Sequence, residues 1–265
     1  MGEESGVQKV AFLNGYDRNL YCLAAMAAVR ARGLQICCVC TKSLTWSEIR
    51  RRIKQLGFSG FLNRLRHKVT KASRRESEGY LLTRLLRHFG VKHRQVSNYC
   101  RQNSIPHLFC RDINDETCVN FIRAHCPDVL IYAGGGLLRK PLLSAANIAA
   151  VNAHLGALPD FKGSNTIEWS LAVGSQPAVT AHTMTEKLDC GTPLKTVFLR
   201  CADSLAQTKS RALLAAVLLL AEIAAKMDSC ATNYPEQTQK AGKMFYTMHP
   251  FMKQILDAWL REKGS

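Results

Sequence analysis

Asn152, His154 and Asp189 are the residues of this 265-residue chain whose types and spacing could do chemistry. Asn152-Ala153-His154 closes a short apolar run, and an extended backbone would point residues 152 and 154 to one face. Asp189 lies in Leu188-Asp189-Cys190-Gly191-Thr192-Pro193, after a second strand-like run from Ala178 to Met184. An amide is a fixed hydrogen-bond donor, an imidazole carries protons near neutral pH, and a carboxylate can orient or charge that imidazole. Such a set suits formyl or acyl transfer to an amine, which passes through a tetrahedral oxyanion. That oxygen needs donors, and a proton must travel from the attacking to the leaving nitrogen. An Asn-x-His pair alone is commonplace and compatible with a structural histidine; the later Asp-x-Gly turn is what adds weight.

Something must hold these residues together, and the pattern predicts an α/β fold. Strands are expected at Lys9 to Leu13, Leu34 to Cys40, Pro106 to Cys110 and Asp128 to Ala133, with helices between them at Asn19 to Arg32, Val96 to Asn103 and Asn114 to His125. Strands separated by helices imply right-handed crossovers and a doubly wound, mostly parallel sheet, whose ligands sit at the carboxyl ends of the strands. Further strands are expected at 148–152, 178–184 and 194–199. Helices follow at Thr166 to Val173, Ser204 to Met227 and about His249 to Lys263, the last two separated by a polar link at 228–240. The expected organisation is a catalytic unit over 1–203, a basic helical insertion at 43–95, and a helical C-terminal extension over 204–265 packed on that unit.

In order and separation these residues resemble the folate-dependent formyltransferases, which carry Asn-x-His, Leu-Pro-x-x-x-Gly and Asp-x-Gly. Here these are Asn152 to His154, Leu158-Pro159-Asp160-Phe161-Lys162-Gly163 and Asp189-Cys190-Gly191. Pro127-Asp128-Val129-Leu130-Ile131 and Thr180-Ala181-His182 are similar to further family motifs, and Phe161 to Asn165 is similar to the glycinamide ribonucleotide branch. The resemblance implies a Rossmann-like formyltransferase fold, 10-formyltetrahydrofolate as co-substrate and no metal, with Asn152, His154 and Asp189 catalytic. It implies a donor site at Gly134, Gly135, Gly136, Leu137 and Leu138 with Thr185 and Leu188. The acceptor amine would enter beside Asn14, Lys162 and His182. Where many members have His-Pro-Ser-Leu-Leu-Pro, this chain has His154-Leu155-Gly156-Ala157-Leu158-Pro159; near the N-terminus Asp17 and Arg18 replace a Gly and a Ser of a phosphate loop. The expected acceptor is therefore an amino sugar, nucleotide- or lipid-linked. Glycinamide ribonucleotide and methionyl-tRNA are the alternatives, and a non-catalytic module that holds membrane or nucleic acid is the alternative of another class.

Composition sets the surroundings. Apolar residues at 47% suit a globular protein, and no run is long enough to span a bilayer. Met1-Gly2-Glu3-Glu4-Ser5-Gly6 does not read as a secretory signal, so a cytoplasmic place is expected, peripheral to a membrane in one version. Of the 11 cysteines, Cys37, Cys38 and Cys40 share one strand, where alternation would turn Cys37 away from the other two; buried thiols rather than a metal site are expected. The net charge of +16 is concentrated between Lys42 and Arg94, where only Glu48, Glu76 and Glu78 oppose the lysines and arginines. Tyr80 to Arg87 predicts an amphipathic helix with a basic face. The segment reads as a solvated helical excursion, a dock for an anionic membrane surface, or a nucleic-acid contact short of aromatic residues.

Overall fold

The computed structural model describes residues 8–43, 79–227 and 242–264. Most of the basic insertion (44–78) and the polar link lie outside the described residues. Among the described residues seven strands form the main sheet: β1 (Lys9–Asn14), β2 (Gln35–Lys42), β3 (His107–Cys110), β4 (Val129–Ala133), β5 (Ala149–His154), β7 (Ala178–Thr183) and β8 (Pro193–Phe198), in the order β3-β2-β1-β4-β5-β7-β8. The first five pair in parallel, whereas β5–β7 and β7–β8 are antiparallel. The mostly parallel, doubly wound sheet expected from the sequence is present. Strand β7 alone runs against the others, and the short link after it brings the chain back as β8 in the original direction.

Residue alternation along β1 divides the core. Val10 and Phe12 join one apolar layer with the helices α1 (Leu20–Ala31), α2 (Tyr80–His88) and α7 (Leu205–Lys226). Ala11 and Leu13 join the other, against α4 (Glu116–Ala124) and α5 (Lys140–Leu143). Helix α1 starts where the Asn19 side chain accepts the Tyr21 and Cys22 amides, and ends before Gly33, whose φ of 79° is costly for other residues. The expected basic amphipathic helix is α2, with Leu82 and Leu86 buried against the core. Short α3 (Val96–Gln102) leads into β3.

One expectation on β2 is corrected. The register slips between Val10 and Ala11, skipping Cys37, so Cys37 packs in the same layer as Cys38 and Cys40 instead of facing away. The sequence also gave no sign of a second, two-stranded sheet, in which β6 (Phe161–Gly163) lies parallel to β9 (Lys243–Phe245). Helices α6 (Thr166–Ala172) and α8 (Pro250–Gly264) flank it, and α8 buries Leu256 and Leu260 in the core.

Strand order switches direction at β1 and β4, which is where open α/β sheets bind ligands. The loops after these strands meet: a Cβ on Gly15 would lie 3.1 Å from the Gly135 amide nitrogen. Next along this carboxyl edge comes the end of β5, with Asn152 and His154.

Candidate active site

Strand β5 carries Asn152 and His154 on one face, and both line a cavity of about 280 Å³ with Gly163, Asn165, Glu168 and Lys209. Antiparallel pairing sets Asn152 opposite His182 and His154 opposite Thr180. That register gives Thr180-Ala181-His182 two tasks. The Thr180 hydroxyl donates to the Gly156 carbonyl (2.8 Å) and accepts the Leu158 amide (3.1 Å), pinning the loop that leaves His154. His182 Nε2 lies 3.2 Å from Asn152 Nδ2, and its Nδ1 2.7 Å from the Thr183 carbonyl.

These contacts assign protons. A carbonyl only accepts, so His182 Nδ1 carries the proton, and its bare Nε2 takes one amide hydrogen of Asn152. The second Asn152 hydrogen is left for an oxygen in the site. Burial, together with the neighbouring His154, pushes the His182 pKa down to about 4, so the ring is neutral near pH 7.

His154 is 7% exposed. Its Nε2 donates to the Phe161 carbonyl at 2.7 Å, which turns Nδ1 toward Asp189, 3.5 Å from Oδ2. Burial lowers its pKa below the usual histidine value, and the carboxylate of Asp189 works in the opposite sense. Neutral His154 thus presents a bare Nδ1 able to take a proton, and Asp189 stands where it would stabilise the cation that results.

Asp189 reaches this place through an unusual backbone, with φ of 50°, a region that most residues occupy at a cost. Its Oδ2 accepts the Gly163 amide at 2.8 Å. Gly191 explains the Asp-x-Gly signature: a Cβ there would collide with the Thr183 carbonyl, where the turn folds back on β7 through Thr183 N–H to the Thr192 carbonyl (3.0 Å).

After β4, Gly134, Gly135 and Gly136 have φ of 111°, 136° and 122°, values that suit only glycine. The Gly136 amide donates to the Tyr132 hydroxyl (3.2 Å), and Lys140 N–H donates to the carboxylate of Glu186 (3.0 Å), tying this loop to the one before Asp189. Leu138 is buried, but Leu137 is 60% and Leu188 48% exposed. Thr185 donates to the Lys187 carbonyl at 3.1 Å. Glycine backbone beside uncovered leucines fits a flat ring system with hydrogen-bonding edges.

The acceptor-side residues are placed differently. Asn14 is fully buried, donating to the Tyr16 carbonyl and to Thr41 while accepting from Asn19, so it joins β1, β2 and α1. Lys162 is buried with its Nζ 3.6 Å from Cys190 Sγ, next to Asp189. His182 holds Asn152. Unforeseen from sequence are the Phe161 carbonyl and the Gly163 amide. Backbone groups leave no trace in residue types, and only the x-x-x-Gly spacing after Pro159 hinted at them.

Known proteins resemble this chain in sequence and in fold. Residues 90–212 match the formyl transferase family model. That segment of the chain resembles the formyl transferase family. The methionyl-tRNA formyltransferase of Anaeromyxobacter sp. (strain K) is 36% identical over 95 residues, 35% of this chain and 30% of that protein. The chain thus spans about a third of the length of the curated relatives it matches. The fold is that of formyltransferases: phosphoribosylglycinamide formyltransferase from Streptococcus pneumoniae TIGR4 superposes with a TM-score of 0.50 at 18% identity, over 83% of this chain and 98% of the other. A sugar N-formyltransferase from Shewanella sp FDAARGOS_354 gives 0.52 at 11% identity, over 90% and 76%. Asn152, His154 and Asp189 all fall inside the segment matched by that family model.

Proposed function

We propose that the protein moves a formyl group from 10-formyltetrahydrofolate to a primary amine. The juxtaposition that carries this reading is the Asn152 amide beside His154, with Asp189 3.5 Å from His154 Nδ1. The folate donor supplies an activated formyl group. The chain's own residues would do the rest. The second amide hydrogen of Asn152 donates to the oxygen that gains charge when the amine adds. His154 takes the amine proton at Nδ1, directly or through one water, and Asp189 stabilises the imidazolium until the proton passes to the leaving nitrogen. Gly134 to Leu138, with Thr185 and Leu188, would hold the donor's ring.

Lys162 and His182 line the acceptor side in this proposal, and Asn14 shapes it from behind. The acceptor we favour is an amino sugar, nucleotide- or lipid-linked, because the Asp17 carboxylate stands where an anionic ribonucleotide phosphate would need small residues. Asp17 instead accepts from Gln95 (3.0 Å) and from the Ser97 amide (2.8 Å) and hydroxyl (2.9 Å). A second reading, an amine borne on a polyanion such as tRNA, is favoured by a groove of about 860 Å³ lined by Tyr80, Arg84, Arg87, Lys92, His93 and Arg94. The same basic lining would suit an anionic membrane surface.

The test is release of tetrahydrofolate from the formyl donor with a panel of amines, including sugar nucleotides and charged tRNA. Wild type should turn over with one acceptor class, and Asn152→Ala should lose about 10²–10³ in kcat with its circular dichroism unchanged. Equal turnover by wild type and Asn152→Ala would remove Asn152 from the mechanism. No turnover with any amine would favour a binding module.

A further inference from the structure

The three residues of β6 separate the catalytic pair from the C-terminal segment. Along a strand, backbone groups of alternate residues point to the same edge. On one edge the Phe161 carbonyl holds His154 Nε2 and the Gly163 amide holds Asp189 Oδ2. On the other edge lies β9, with Phe161 opposite Lys243, Lys162 opposite Met244 and Gly163 opposite Phe245. The pair is extended by Ser164 N–H to the Phe245 carbonyl (2.9 Å) and Lys243 N–H to the Asp160 carbonyl (3.3 Å).

Packing reinforces this pairing from the side chains. The Phe245 ring stacks on Phe161, centroids 5.2 Å apart and 13° from parallel, and meets Trp169 at 5.6 Å. Trp169 Nε1 donates to the Tyr246 carbonyl (2.7 Å), and the Met248 amide to Asn165 Oδ1 (3.0 Å). There is no slack in the backbone contact: a Cβ on Gly242 would collide with the Pro159 carbonyl, and one on Gly163 with the Phe245 carbonyl. A strand this short has little stability without a partner. The backbone atoms that orient His154 and Asp189 therefore depend on residues far along the chain.

We propose that residues 242–248 are a positioning element for the His154–Asp189 pair, acting through β6 with Phe245 as anchor. Phe245 touches no reacting atom. Its effect is geometric, and misplacing catalytic groups by about 1 Å can cost about 10²-fold in rate. His154 has Asp189 and His182 as its nearest titratable neighbours, Glu168 and Lys209 on the lining of the same cavity, Lys162 of β6 reaching Cys190 beside Asp189, and the Phe161 carbonyl on its Nε2, so its proton affinity reports on whether β6 is in place.

The experiment is an NMR titration of the His154 imidazole, assigned by its loss in His154→Gln, in wild type, Phe245→Ala, Phe245→Tyr and Phe251→Ala. Phe245→Ala should move the midpoint of His154 up, toward the ordinary value of about 6.5 as water enters. Phe245→Tyr should restore it, and Phe251→Ala, which alters an exposed residue of α8, should leave it as in wild type. If Phe245→Ala does not fold, Trp169→Phe, which keeps a ring but loses the bond to Tyr246, should give a smaller shift in the same direction. The kinetic part rests on the formyl-transfer reading: kcat should fall about 10- to 100-fold in Phe245→Ala with KM for the donor changed less than about twofold. A folded Phe245→Ala protein with the wild-type His154 midpoint would overturn the proposal. A shifted midpoint in a protein that transfers no formyl group would keep it and instead sink the proposed reaction.

Discussion

Two buried histidines of opposite duty face one another across β5 and β7. His182 is held neutral and spends both nitrogens on structure, which leaves Asn152 aimed by a fixed acceptor. His154 spends only Nε2, and its Nδ1 is turned to Asp189. Both have pKa values below the ordinary histidine value, burial being the chief cause for each. The sign of the stability effect follows. Between about pH 6.5 and about 4 the unfolded chain binds a proton at residue 182 that the native protein refuses, so stability is full above about 6.5 and is lost as pH falls toward 4. Urea midpoints should decline over that window, and His182→Gln should flatten the decline. A profile equally steep in the variant would mean that other groups drive it. For the same reason, catalysis should fall with acid through the His154 midpoint, below the usual histidine range.

At the scale of elements, the turn after β7 decides where Asp189 sits. Gly191→Ala would drive a methyl group into the Thr183 carbonyl, so the turn must open. Overpacking of this kind costs about 1–3 kcal/mol. Thermal unfolding should show that loss, and formyl transfer should drop further than stability does, because Asp189 moves away from His154. Much of this arrangement was legible beforehand. The strand carrying Asn152 and His154, the glycines after β4 and the Asp-x-Gly turn all have local signatures in spacing and residue type. The β6–β9 pair was not legible, because three-residue strands lack periodicity and Lys243 to Phe245 pairs with a partner some eighty residues away. Nor was the slip at Cys37, since strict alternation is what a bulge violates. Asn14 adds a part the sequence did not show: besides its expected place on the acceptor side, it hydrogen-bonds β1 to β2 and α1 within the fold.

Across the whole molecule, Glu168 ties three helices behind the site. Its carboxylate is almost fully buried, 3.4 Å from Lys209 of α7 and 3.0 Å from Lys253 of α8, and it accepts from Asn165. Burial favours the protonated acid, but the two ammonium groups outweigh it and hold the pKa below the ordinary glutamate value. Glu168→Gln should destabilise by about 2 kcal/mol, less than the ~3–5 of fully enclosed pairs because both lysines reach water in part. Chemical denaturation measures this, and an unchanged midpoint would contradict it. The same tie links the cavity beside Asn152 and His154 to α8, and with β9 it joins residues 243–264 to the loop after His154. In the proposed reaction the formyl donor would complete this arrangement from the other side, over Gly134 to Leu138 and the exposed Leu137 and Leu188. Calorimetric titration with a non-transferable 10-formyltetrahydrofolate analogue measures that step directly, in wild type and in Asp189→Ala. Saturable binding to wild type, weakened at least several-fold in Asp189→Ala, is the expected result. No heat of binding to well-folded wild type would contradict the folate-dependent reaction proposed for this chain.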